Sequence, residues 1–212
     1  MVNSLTVEQT VEMLKHVSSA IIAKQEELNE IDRAIGDGDH GSSMSRGFDA
    51  VLELLKNEPL NDLSTLFQSV GNNLISSIGG SAGIIFGTLF RSGSKAFLNC
   101  DNFNSTVFAN FLNLGEEAIT KRGGAHPGDK TMVDSLHSAA IAAGLNSEEP
   151  LDEFLSKVAE AAHKGMESTK SMKATFGRAK TFTDRSLGLP DPGAVTTYLI
   201  LKEISEFVKS TP

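Results

Sequence analysis

Apolar residues recur at three- to four-residue spacing along nearly the whole chain, and no segment alternates with the period of a strand. A first predicted helix carries Val7, Val11, Leu14, Val17, Ile21, Leu28 and Ile31, opens on a Thr6/Gln9 capping box and stops at Gly36. A second starts near Ser42 or Ser43 and buries Met44, Phe48, Val51, Leu52 and Leu55. A third uses Leu63, Leu66, Phe67, Val70, Leu74 and Ile78, up to Gly79-Gly80. A fourth runs from about Ala82 to Phe97, and a fifth is marked by Val107, Phe108, Phe111, Leu112 and Ile119. The sixth starts at about Thr131 (Val133, Leu136, Ala140, Ile141), the seventh spans Leu151 to Met172, and the eighth carries Val195, Tyr198, Leu199, Ile204 and Phe207. The pattern therefore predicts an all-α fold of eight helices, and the stripes themselves are core rather than chemistry.

If consecutive helices run up and down with short connections, alternate loops share an end. The loops after helices one, three, five and seven are GDGDHG, GGSAG, RGGAHPGDKT and FGRAKTFTDRSLGLPDPG. Those at the other end are NEPLND, NCDNFN and NSEEP, ordinary polar turns. Every loop rich in glycine, clustered acid, histidine, lysine or arginine thus falls on one rim, where a functional site is expected.

The totals narrow the classes. The chain has 212 residues, which suits a single domain over 1–212. A net charge of −8 argues against non-specific binding to nucleic acid or an anionic membrane. The lone Cys100 excludes an internal disulfide and a cysteine zinc cluster. MVNSLTVEQT lacks an apolar signal core and no stretch approaches a membrane span, so a cytoplasmic location is expected.

Asp32, Asp37 and Asp39 crowd three carboxylates into DRAIGDGD, where they repel one another unless a cation or donors compensate. An all-oxygen set without cysteine suits a hard cation such as Mg²⁺ shared with phosphates. An EF-hand fails, because a loop starting at Asp37 finds Phe48 at its twelfth position. Zinc lacks a second histidine at ligand spacing from His40. The other rim loops open helices at Ser42-Ser43, Gly80-Ser81-Ala82 and Gly128-Asp129-Lys130-Thr131, where free backbone N–H groups and the helix dipole attract anions. GDKT is not a Walker A ending, because Asp129 separates Gly128 from Lys130 and no strand precedes it. Arg178 can stack on a base or neutralise a phosphate, and Asp191-Pro192-Gly193 is a turn signal that gains interest from its place on the rim. Three classes fit these residues: a nucleotide-dependent phosphotransferase, an all-α isoprenoid-diphosphate enzyme, and a non-catalytic ADP-sensing interaction module. The second normally needs a further acidic motif, which this chain lacks.

Taken in order, LNEIDRAIGDGDHG, MSRGF, SSIGGSAG, RGGAHPGDKTMVD, GRA and DPGA resemble the L-subunit family of bacterial dihydroxyacetone kinases over essentially the whole chain. The resemblance implies an eight-helix antiparallel barrel with a nucleotide, ADP or ATP, at one end. It implies two Mg²⁺ ions on Asp32, Asp37 and Asp39. It implies nucleotide contacts at His40, Gly41, Ser43, Ser81, Ala82, Gly123, Thr131, Met132, Arg178, Asp191 and Gly193. No catalytic side chain is implied beyond that Mg-nucleotide site. A separate K subunit would carry the sugar and an M subunit would rephosphorylate the nucleotide, while a homodimer stays open. Ser43 replaces the asparagine common in relatives, Gly-Gly-Ser-Ala-Gly-Ile replaces Gly-Gly-Ala-Ser-Gly-Pro, and Gly124 replaces a frequent lysine. These changes touch phosphate and base contacts and leave the three acids intact. A paralogous subunit serving another ketose is the alternative.

Overall fold

The computed structural model describes residues 1–57, 60–182 and 186–211, with Arg178 and Phe182 described in their backbone only. Its helices are α1 (Val7–Ala23), α2 (Gln25–Ile35), α3 (His40–Asn57), α4 (Leu63–Ile78), α5 (Gly80–Gly93), α6 (Ser105–Gly123), α7 (Met132–Asn146), α8 (Leu151–Ser168) and α9 (Pro192–Ser210). Each of α3 to α9 packs on the next, and α9 returns to α1 and α2, so the ring closes. Links between consecutive staves, short except for 169–191 between α8 and α9, make neighbours antiparallel, the expected all-α barrel.

The predicted first helix divides at Lys24. Its N–H turns to the Ile21 carbonyl at 3.1 Å, a tightened last turn, and α2 starts at the next residue. Neither Gly nor Pro marks the break, and Ile21 and Leu28 stay in phase on the core side, so periodicity alone could not reveal it. Together α1 and α2 form one stave against α3. A two-residue antiparallel ladder, β1 (Ser4–Leu5) with β2 (Phe103–Asn104), ties the N-terminus to the start of α6. It is too short to alternate.

The capping box at Thr6 forms as the sequence predicts, with the Gln9 N–H donating to Thr6 Oγ1. Asp62 and Asn104 cap α4 and α6 through the N–H groups of Thr65 and Val107. These three starts lie at the end away from the acidic loops. That end is filled by rings: Phe67 stacks on Phe97 with centroids 4.4 Å apart and meets Phe111 edge-on at 5.1 Å. Phe90, Phe103 and Phe108 complete the cluster, each at most 2% exposed. Among the described residues no helix is long and apolar enough to cross a membrane.

Candidate nucleotide and metal site

At the other end the rings give way to a cavity of about 560 Å³. Four helices, α3, α5, α7 and α9, begin here, so four positive dipole ends converge on its mouth. Each start is treated differently, and that difference builds the site.

The start of α3 is capped from another helix. One oxygen of Asp32, on α2, accepts the N–H groups of Gly38, Asp39 and His40 at 2.9, 3.0 and 3.3 Å. This is why α3 starts at His40 rather than at Ser42 or Ser43. The cap folds the GDGD turn back on Asp32, so that Asp32, Asp37 and Asp39 each bring a carboxylate oxygen within 4.8 Å of the others. Gly38, at φ +79, occupies the left-handed region the turn requires. His40 is nearly buried, and its Nε2 lies 2.8 Å from Thr196 Oγ1 on α9. Burial lowers its pKa to about 4 against the opposing pull of the Asp32 charge, so the ring is neutral at pH 7.

The start of α5 has no side-chain cap. Gly79 and Gly80 take φ +77 and +58, which a side chain would resist, and they open the first turn toward the cavity at Ser81 and Ala82. Arg46 holds this turn in place. Its Nε and Nη2 donate to the carbonyls of Ser77 and Ile78 at 2.9 and 2.7 Å, satisfying the last turn of α4.

Asp134 folds the turn before α7. It accepts from Gly128 N–H at 2.6 Å and Thr131 N–H at 2.7 Å, in a capping box with Thr131. Thr131 and Met132 then line the cavity. Asp191 caps α9 through the Ala194 N–H at 2.8 Å. Desolvation at this half-buried position pushes its pKa up to about 7, while its backbone donors and the nearby Lys130 charge pull the other way.

The cavity wall therefore brings together Asp32, Asp37, Asp39, His40, Ser43, Ser81, Ala82, Gly123, Thr131, Met132, Asp191 and Gly193 from five separated stretches of chain. Gly41 is not in the wall. It faces α2, where a Cβ would sit 1.9 Å from the Gln25 carbonyl oxygen, so its described role is close helix packing. The Arg178 backbone opens a short 3₁₀ turn, and its side chain lies outside the described residues. Arg46, Lys130 and Phe176 also line the cavity; Lys130 stands in the predicted Gly128–Thr131 opening, whereas the sequence assigned no role to Arg46 or Phe176. The Arg46 position was visible in MSRGF, but only the fold shows that its guanidinium spans to α4.

Three carboxylates, an uncapped helix start and a mostly apolar cavity on a closed α-barrel define a cation- and anion-binding protein of the nucleotide-handling kind. The chain belongs to the DAK2 domain family, whose model matches residues 34–206. It is 36% identical over 173 residues to a protein of Listeria innocua named "PEP-dependent dihydroxyacetone kinase 1, ADP-binding subunit DhaL", covering 82% of each chain. It is 33% identical to the DhaL subunit of Escherichia coli, covering 95% of this chain and 97% of that one. It is 35% identical to human triokinase/FMN cyclase and spans 35% of that longer protein. The fold matches the crystal structure of the C. freundii dihydroxyacetone kinase in complex with AMP-PNP and Mg²⁺, with a TM-score of 0.77 and 26% identity over 97% of this chain and 35% of that one.

Proposed function

We propose that this chain is the nucleotide-binding phosphoryl-transfer subunit of a dihydroxyacetone kinase, acting as one domain over 1–212 in the cytoplasm. The observation that carries the reading is the placement of the Asp32, Asp37 and Asp39 carboxylates within 4.8 Å of one another on the wall shared with the uncapped start of α5.

The donor set fits Mg²⁺: three oxygen ligands, no sulfur, and partial exposure that leaves room for water and phosphate oxygens. Mg²⁺, as two ions in this reading, supplies neutralisation of phosphate charge. The rest falls to the chain. Asp32, with one oxygen occupied by the GDGD amides, fixes the register of Asp37 and Asp39. The first-turn N–H groups of α5 hold phosphate oxygens, and Ser43 and Ser81 offer hydroxyls beside them. His40, neutral, locks α3 to α9 through the Thr196 hydroxyl. Phosphoryl transfer needs positioning and charge stabilisation more than covalent help, which suits a rim with no nucleophile in place.

The ketose is carried by a separate K subunit, and an M subunit regenerates ATP from ADP on this chain. A second cavity, of about 10 Å³ and walled by core residues such as Phe67 and Leu136, is too small for a polyol. The test is single-turnover transfer from the ATP-loaded chain to dihydroxyacetone, with and without a K subunit. Transfer is expected only with it. Transfer without it would place a sugar site on this chain, and none in either case would leave an ADP-sensing module.

A further inference from the structure

Lys130 is 1% exposed, yet among the described residues no carboxylate lies within ion-pair distance of it. Its Nζ donates to two backbone carbonyls, Thr169 at 2.6 Å and Leu189 at 2.5 Å. Thr169 follows the end of α8 and Leu189 precedes the Asp191 cap of α9, so one ammonium joins the two feet of the intervening strap. Further ties gather at the same point. Asp191 N–H donates to Thr169 Oγ1 at 3.0 Å, and Gly188 N–H to the Lys170 carbonyl at 2.8 Å. The neighbouring Asp129 holds the strap higher up, accepting from Thr175 Oγ1 at 2.6 Å. Phe176, Gly177 and Ala179, just beyond Thr175, line the nucleotide cavity.

Core filling does not explain this lysine. Burying an ammonium costs hydration, a cost that methionine, of similar volume and similar side-chain entropy, would not carry. The backbone also departs from the favoured region to place it, at φ +59. Burial lowers the Lys130 pKa, and the Asp191 and Asp134 charges oppose that shift. The residue is spent on joining three segments that each contribute to the cavity: the turn ending in Thr131 and Met132, the strap, and the start of α9.

We infer that Lys130 is a positioning residue for the bound nucleotide, holding the strap and the Asp191–Gly193 turn against the Thr131–Met132 turn so that the nucleotide leaves slowly. The inference rests on the site reading above, and it concerns retention rather than the reacting atoms.

The experiment compares Lys130→Met and Thr175→Val with the wild-type chain, using MgADP carrying a fluorescent ribose label. Dissociation constant, off-rate and metal-free melting temperature are measured, followed by single-turnover transfer at saturating MgATP with a K subunit. Lys130→Met is expected to raise the dissociation constant and off-rate roughly 10- to 100-fold, the range for losing one or two charged hydrogen bonds. Transfer at saturation should stay within about threefold, because the Lys130 ammonium is committed to two backbone carbonyls. Thr175→Val, which removes an exposed side-chain tie, should raise the off-rate about three- to tenfold. A purely structural lysine would lower the melting temperature and leave the affinity of folded protein unchanged, which overturns the inference, as does loss of transfer at saturation with affinity intact. If Lys130→Met does not fold, an unchanged off-rate in Thr175→Val overturns it. A wild-type chain that binds no MgADP sinks the site reading and this inference together, whereas wild-type binding that both variants leave unchanged sinks this inference alone.

Discussion

The same eight staves end in two opposite ways. At one end Phe67, Phe90, Phe97, Phe103, Phe108 and Phe111 fill the barrel with rings. At the other the helix starts stay apart, and aspartates, glycines and one buried lysine surround about 560 Å³ of space. Aromatic rings bring large apolar area and satisfy one another without polar partners. The acidic rim does the reverse: each carboxylate must be matched by amides, by a cation or by protonation. One end thus carries stability and the other spends it, and substitutions at each should separate the two.

The largest effect is expected at the rim. Asp37→Asn or Asp39→Asn should lower phosphoryl transfer roughly a thousandfold, the upper end for losing one charge-stabilising group. Helical circular dichroism should hardly change, because neither side chain covers core. Normal turnover of either variant with the proposed K and M subunits would remove that acid from the metal set. Phe67→Ala should have the opposite profile. It should cost about 3–5 kcal/mol of stability in urea unfolding while MgADP affinity of the folded fraction stays the same. Lost affinity without lost stability would mean that the two ends are not separable. Next, dialysis against EDTA should weaken ADP binding about a hundredfold, since a metal clamp contributes several kcal/mol of charge stabilisation and the bare acids repel phosphate. Full ADP retention after chelation would contradict metal bridging.

The smallest effect is a pH slope, and it too belongs to the rim, because the phenylalanine cluster has nothing to titrate. The native pKa of His40, about 4, lies below the unfolded 6.5. The unfolded chain therefore binds the extra proton, and this term stabilises the fold as pH rises from about 4 to 6.5. The native pKa of Asp191, about 7, lies above the unfolded 3.8. The native chain binds that proton, and this term weakens the fold as pH rises from about 4 to 7. The two slopes oppose, so metal-free wild type should be nearly flat between about pH 4.5 and 6. His40→Gln should expose the Asp191 limb, with stability falling by at most about 1.4 kcal/mol per pH unit as pH rises. Asp191→Asn should show the reverse slope. Parallel curves for all three proteins would mean that these groups are not shifted as their burial implies.

Much of this was legible before any coordinates. Helical spacing fixed the staves because an amphipathic stripe has only one way to be buried. Loop parity gathered the unusual loops onto one end because antiparallel neighbours leave no other choice. Composition pointed to the chemistry proposed for the rim, since three aspartates among glycines suit a hard cation. The break at Lys24 was not legible, because it changes one hydrogen bond and leaves the stripe in phase. Nor were the roles of Asp32 as a cap for a different helix, of Gly41 as a packing contact, or of Arg46 and Lys130 as ties to carbonyls 31 to 59 residues away. Those depend on which backbone groups meet across the barrel. A residue's local pattern records its own helix and turn. The partner that satisfies its charge is chosen only when the staves close, and tertiary structure alone decides it.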